Sequence, residues 1–186
     1  RAAHFEYVPM PGGDAAVREP WRMAASYLYK TFGSGFLKKS GNRDRAFFIK
    51  TMIDKGINSP LTSSAGRLFD AVASIVLEKD RADFEAQLPV ELEKLARPNI
   101  DEQYSFNVNS DSHFLGQPFL TIDASPVIKA IVKDKAKGAD VFIMSAKFHN
   151  AVAQAIVAVA LKLKQKSGVN RVAFGGGVFQ NKYLIA

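Results

Sequence analysis

The chain contains no cysteine, which excludes disulfides, thiolate metal sites and a cysteine nucleophile within it. Histidine is scarce as well: there are three, and neither His4 nor His113 has nearby carboxylates in a metal-ligand pattern. No apolar run approaches the roughly 18 residues of a membrane span, and no signal-peptide pattern opens the chain. Internal repeats and low-complexity segments are missing too. These absences agree with a cytoplasmic protein that has no membrane partner.

What is present is ordinary globular material. The 186 residues suffice for one domain with a substantial core or for two small lobes. Hydrophobic residues make up 47% and charged residues 23%, the balance of a packed domain. The net charge of +7 invites a nucleic-acid reading, but its distribution argues otherwise. Lys38, Lys39, Arg43 and Arg45 share one polar stretch, Lys129, Lys133, Lys135 and Lys137 a second, and Lys162, Lys164 and Lys166 a third. The last two interleave with apolar residues at helical spacing, so they read as solvated helix faces, and nucleic acid is not the expected partner.

Hydrophobic spacing places most elements. A short strand is expected over 5–8, then a dense turn signal from Pro9 to Asp14. A helix is expected from about Ala15 to Phe32, with Trp21, Ala25, Leu28 and Phe32 on one stripe and Asp14 as its cap. A polar loop spans 33–42, and a second helix runs from about Asp44 to Lys55, ending at Gly56. The stretch from Ile57 to Ser64 is too polar for a core strand. Ser63 or Ser64 caps the next helix, over about 65–78, which is apolar on most sides and therefore buried. A helix over 84–96 is broken at Pro89, and a hairpin joins 104–108 to 114–123 across a turn at 109–113. Two more helices follow, over 125–137 with Pro126 at its first position and over 144–166 with Gly168 as terminator.

Two places carry chemistry. Gly66, Arg67 and Asp70 lie at the first turns of the buried helix, where Arg67 and Asp70 are spaced for an ion pair and equally for a ligand contact. From Arg171 to Phe174 an apolar run reads as a buried strand, which breaks at Gly175, Gly176 and Gly177 and restarts as a helix. Strand, glycine turn and helix can present backbone N–H groups to a phosphate, although three glycines equally serve an ordinary tight turn. The segment is not a P-loop, because Lys182 is misplaced and no Ser or Thr follows it, and it lacks the dinucleotide fingerprint. His149, beside Asn150 on the long C-terminal helix, is open to a satisfied structural role or a catalytic one.

Four segments, Pro11 to Arg22 (PGGDAAVREPWR), Gly56 to Val72 (GINSPLTSSAGRLFDAV), Phe148-His149-Asn150 and Gly175 to Asn181 (GGGVFQN), together resemble one family. It is the HypF carbamoyltransferases of nickel–iron hydrogenase maturation, in their C-terminal Kae1-like domain, and the order and spacing fit nearly the whole chain. The resemblance implies an α/β fold, a helix-rich portion of an actin-like ATPase (ASKHA, ribonuclease H-like) with nucleotide between two lobes. It implies transfer of a carbamoyl group from carbamoyl adenylate, made with ATP, to the C-terminal cysteine of the partner HypE.

On that resemblance Asp70, Arg67 and His149 are the candidate catalytic residues, and Gly12, Gly13, Asp14, Gly66, Asp70, Gly176, Gly177 and Asn181 the candidate nucleotide contacts. The family's divalent metal (Fe, Zn or Mg) is held by a histidine pair upstream and an aspartate downstream of the matched segments. The chain, which lacks an initiator Met, is therefore expected to be a partial Kae1-like domain, truncated at both ends and inactive alone. Where the family carries a Tyr-Glu-Gly-like segment, this chain has Phe84-Glu85-Ala86. Three rivals share the fold: a tRNA threonylcarbamoyl transferase, an enzyme carbamoylating an antibiotic hydroxyl, and a partner-docking module without activity. The HypF branch is favoured by the Arg18-to-Arg22 and Gly66-to-Asp70 segments.

Overall fold

The computed structural model describes residues 2–38, 43–114 and 117–185, and the side chains among them except 37, 38 and 111–118. The elements in chain order are β1 (Ala3–Phe5), β2 (Val8–Pro9), α1 (Ala15–Arg18), α2 (Trp21–Phe32), α3 (Arg43–Asp54), β3 (Leu61–Thr62) and α4 (Ala65–Leu77). They continue with α5 (Gln87–Leu95), β4 (Asn107–Phe114), β5 (Gln117–Asp123), α6 (Ser125–Ala136), α7 (Val141–Ser167) and α8 (Lys182–Ile185). Single 3-10 turns occupy Gly33–Lys38 and Gly177–Gln180. The fold is helix-rich α/β, as expected of this portion of an actin-like ATPase.

Helix α4 is its centre. It packs against α2, α5, α6 and α7, and its Leu68, Ala71, Val72 and Ala73 are fully buried. Phe69 meets Phe148 of α7 edge to face, with ring centroids 4.9 Å apart, a preferred aromatic geometry. Ser64 is extended and its Oγ accepts from the Arg67 amide at 3.4 Å, so the expected cap is in place.

A three-stranded sheet flanks the helices in the order β1-β5-β4, with β1 parallel and β4 antiparallel to β5. A separate two-stranded ribbon joins β2 to β3. The ribbon splits the single strand expected over 5–8, and it draws Leu61 and Thr62 into pairing despite their polar surroundings. Residues 109–113 belong to β4 rather than to a turn, with a register irregularity between Asn109 and Ser112. Asn109, Ser112 and His113 pair with β5 whatever their polarity, and an antiparallel strand can keep one face in water.

Prolines decide two further differences. The helix expected over 15–32 is interrupted at Glu19, whose φ of −121° and ψ of 69° reflect the residue-before-proline restriction imposed by Pro20. Asp14 precedes α1 without a side-chain cap bond. Pro89 does not break α5, because it is the third residue of that helix, where the N–H would have no intrahelical acceptor.

Helix α7 starts at Val141, three residues before expectation, because Asp140 caps it by accepting from the Phe142 amide at 2.8 Å. Contrary to the sequence expectation, it is long and apolar enough to cross a membrane by length and composition. Its mean hydropathy reaches 1.3 over 18 residues, but 44% of that window is buried inside the fold. Lys162, Lys164 and Lys166 in its last turns are exposed, as are Lys129 and Lys133 on α6 and Lys137 just after it, while Lys135 is half-buried and pairs with Glu78. Of the first cluster, Lys39 lies outside the described residues, while Arg45 pairs with Asp80 and stacks over Trp21.

Ala86, which stands where the resemblance implies a glycine, is held in the left-handed region at φ +64°, ψ 12° just before α5. That conformation brings Cβ against the following carbonyl. Ala86→Gly is expected to raise stability by about 1 kcal/mol, read as an upward shift in Tm on thermal unfolding. A lowered Tm would show that this backbone costs alanine nothing.

Candidate functional site

The first-turn amides of a helix have no intrahelical acceptor and carry the positive end of its dipole. At α4 the cap Ser64 engages the Arg67 amide, and a Cβ built on Gly66 would meet only Ser64 Oγ, at 3.5 Å. Space in front of Gly66 is therefore open, and packing does not require the glycine.

The Gly175–Gly177 turn is equally open, since a Cβ on any of its three glycines would touch nothing within 4 Å. Gly176 alone needs its freedom, at φ +90°. The strand expected just before the turn does not form. Val172 and Phe174 are exposed and residues 169–175 carry no regular structure, and no described strand pairs with them. Beyond the turn, the expected helix is a 3-10 turn over Gly177–Gln180 followed by the short α8.

Ala65 at the start of α4 and Gly175, Gly176 and Gly177 line one cavity of about 1070 Å³, walled by the apolar face of α7, by the irregular segment from Val169 to Phe174 and by β1. The helix terminus and the glycine turn, 110 residues apart in the chain, thus open onto one space. Of the predicted site residues only Gly176 and Gly177 line it; Gly12, Gly13, Asp14, Gly66, Arg67, Asp70, His149 and Asn181 do not. Gly12, Gly13 and Asp14 form the turn that follows β2, beside the β2–β3 ribbon, where the Gly12 amide donates to Asn58 O at 2.8 Å. A Cβ at Gly12 would sit 3.2 Å from Arg22 Nη1 and one at Gly13 3.2 Å from Asn58 Oδ1. Positive φ and tight packing account for both glycines, and Asp14 is exposed beside them.

Arg67 and Asp70 are both buried one turn into α4. Arg67 Nη1 lies 3.0 Å from Asp70 Oδ2, and Nη2 lies 3.6 Å from Glu85 Oε1. The first pair is close but misaligned, so neither Nη1 nor Oδ2 makes a hydrogen bond. A buried ion pair with unspent donor and acceptor capacity is costly for stability and available to a ligand. Burial raises the Asp70 carboxyl to about 6; the Arg67 charge opposes this and Glu85 adds to it.

His149 is fully buried and both ring nitrogens are engaged. Nδ1 lies 2.8 Å from Ser145 O, and Nε2 lies 3.0 Å from Asn181 Nδ2. Burial lowers its pKa, against the Ser145 carbonyl and the Glu93 charge, which raise it. Asn181 is also buried, and its Oδ1 accepts from the Leu184 amide at 3.1 Å. Sequence reasoning selected His149 and Asn181 separately and missed that they meet. Ser145 could have been found from its i−4 spacing to His149, but nothing local announces Glu85 beside Arg67 or Glu93 beneath α8. Among the described residues no group of three or more His, Asp or Glu is placed to hold a metal ion.

The raised Asp70 gives a stability slope with a definite sign. The folded state binds the proton more tightly than the unfolded state, whose carboxyl titrates near 3.8, so the stability it contributes falls as pH rises through 6. Between pH 5 and pH 8 this amounts to about 1.4 kcal/mol. Urea unfolding at the two pH values should show that loss, and Asp70→Asn should remove it. An unchanged slope in the variant would assign the effect elsewhere.

Comparison with known proteins agrees with this architecture. The family model for the carbamoyltransferase Kae1-like domain, second subdomain, matches residues 1–186. Carbamoyltransferase HypF of Synechocystis sp. is 32% identical over 206 residues, covering all of this chain and 25% of the relative. A carbamoyltransferase HypF homolog of Cupriavidus necator is 32% identical over 196 residues, covering all of this chain and 48% of the relative. The chain thus spans a quarter to a half of the length of these curated relatives. The crystal structure of a full-length HypF in its phosphate- and nucleotide-bound form superposes with a TM-score of 0.89 at 31% identity, over all of this chain and 28% of that one. The HypF of T. kodakarensis gives 0.81 at 25% identity, again over the whole chain and 25% of its own. A match from the first residue to the last, in sequence and in fold, means that the chain belongs to the HypF carbamoyltransferase family, as the second subdomain of its Kae1-like domain.

Proposed function

We propose that this chain forms part of the site at which a carbamoyl group passes from carbamoyl adenylate to the C-terminal cysteine of a HypE-like acceptor, during hydrogenase maturation. The observation that carries the reading is the shared cavity of the α4 N-terminus and the Gly175–Gly177 turn, with a misaligned Arg67–Asp70 pair one turn inside. Amides at a helix start and on a glycine turn suit an adenylate phosphate, and a nucleotide is bound in a HypF of the same fold.

In the transfer, the acceptor sulfur forms a bond to the carbamoyl carbon while the bond from that carbon to the phosphate oxygen breaks. The bonding pair leaves on AMP, and the thiol proton is lost to solvent. Negative charge therefore grows on the phosphate, where the α4 dipole and the Arg67 guanidinium offset it. Asp70 is the group for a ribose hydroxyl, and Gly66, Gly176 and Gly177 let the backbone approach the nucleotide without a Cβ in the way. A divalent cation, where the whole protein uses one, would draw its ligands from outside this chain, and no step above runs through it. The Gly12–Asp14 turn lies off the cavity and serves the ribbon.

The test is calorimetric titration of the full-length protein with AMP and ATP, beside transfer of labelled carbamoyl from carbamoyl phosphate and ATP to the acceptor. Arg67→Ala and Gly176→Val are each expected to weaken AMP binding about tenfold, the loss of one charge-assisted contact or of the turn geometry. Label should reach the acceptor with the unaltered protein and fail to do so with Arg67→Ala. Tight AMP binding in both variants would place the nucleotide elsewhere.

A further inference from the structure

Residues 169–175 carry no regular structure, and the segment regains order only where the Gly177–Gln180 turn and α8 attach to the helical body. That attachment is narrow. The Lys182 amide donates to Glu93 Oε1 of α5 at 2.9 Å, and the Tyr183 hydroxyl donates to Arg97 O at 3.3 Å. Val178 and Leu184 pack on the core, and among the described residues the side-chain hydrogen bond this segment makes in the buried interior is Asn181 Nδ2 to His149 Nε2.

The geometry of that tie assigns every proton in it. Ser145 O can only accept, so His149 Nδ1 carries the hydrogen and Nε2 the lone pair. Nε2 therefore accepts from the Asn181 amide nitrogen, which turns Oδ1 toward the Leu184 amide. Asn181 spends one end of its amide on α7 and the other on α8, immediately after the glycine turn. Reversing the amide would set donor against donor at Leu184. Phe69 of α4 and Tyr183 of α8 enclose the ring with centroids 5.5 and 5.2 Å away. The charge acting on it is that of Glu93 on α5.

We propose that His149 is a positioning residue: it holds the Asn181 amide in one orientation and thereby fixes the Gly175–Gly177 turn opposite the start of α4. It does not line the cavity and touches no reacting atom, and it acts through Asn181. As a consequence for nucleotide binding this rests on the adenylate reading above; as a statement about the turn it stands alone.

The experiment uses the full-length protein with His149→Ala, His149→Gln, Asn181→Ala and the double variant His149→Ala/Asn181→Ala. Two readouts are taken: AMP affinity by calorimetry, and the rate of tryptic cleavage after Arg171 and Lys182, both exposed. His149→Ala is expected to weaken AMP binding about tenfold, as for a lost buried hydrogen bond. His149→Gln, whose amide oxygen reaches the place of Nε2 and can accept from Asn181, should recover most of that affinity. In the Asn181→Ala background the further change His149→Ala should cost no additional affinity, although the cavity it opens still lowers Tm. Cleavage after Lys182 should accelerate alike in both single alanine variants.

Equal losses of affinity from His149→Ala in both backgrounds would overturn the proposal, as would unchanged cleavage. Should the unaltered protein bind no AMP, the nucleotide reading falls by itself. The cleavage rates then decide the positioning role: matched acceleration upholds it, and no acceleration ends it.

Discussion

Enclosure of α4 by α2, α5, α6 and α7 is the constraint on which the rest depends. A helix surrounded in this way can be apolar throughout or must satisfy its polar groups internally. This one carries Arg67 and Asp70 at its buried first turns, 3.0 Å apart and out of hydrogen-bond alignment. Burial, against the opposing Arg67 charge, keeps the Asp70 proton on up to about 6, and a buried pair left out of alignment costs stability. Perturbed, under-satisfied groups of this kind concentrate at functional sites, where a ligand completes them. Here they lie within the first two turns of α4, next to Gly66, which faces open space.

The same helix positions the second half of the site. Phe69 packs on Phe148 and faces His149, so α4 sets the face of α7 from which Asn181 is held. A chain of contacts thus runs from the α4 core through one imidazole to the glycine turn. The three glycines face open space, which leaves room for a ligand, and the polar anchor of the segment that follows is the Asn181–His149 bond, beside the packing of Val178 and Leu184 on the core.

Much of this was legible in the sequence, for identifiable reasons. The Ser64 cap and the apolar sides of 65–77 announced a buried helix, and the Phe148, Val152, Ile156 spacing announced α7. Local patterns failed where distant partners decide. The Val172–Phe174 run looks like a buried strand, yet no described strand pairs with it and it is irregular and exposed. Asn109 to His113 looks like a turn and is strand, because β5 supplies the hydrogen bonds. The family resemblance named His149, Asn181, Arg67 and Asp70 but not their grouping, since the His149–Asn181 and Arg67–Glu85 contacts join residues with no local sequence relation. Gly12, Gly13 and Asp14 share the resemblance with Gly176 and Gly177, and of these five only Gly176 and Gly177 line the cavity.

The most direct test of the account is amide hydrogen exchange of the full-length protein with and without AMP. The account predicts that protection rises together at two separated stretches, the start of α4 around Ala65 and Gly66 and the turn at Gly176 and Gly177, while the Gly12–Asp14 turn is unchanged. Protection at Gly12–Asp14 with neither of the other stretches affected would contradict it and move the nucleotide to the β2–β3 ribbon.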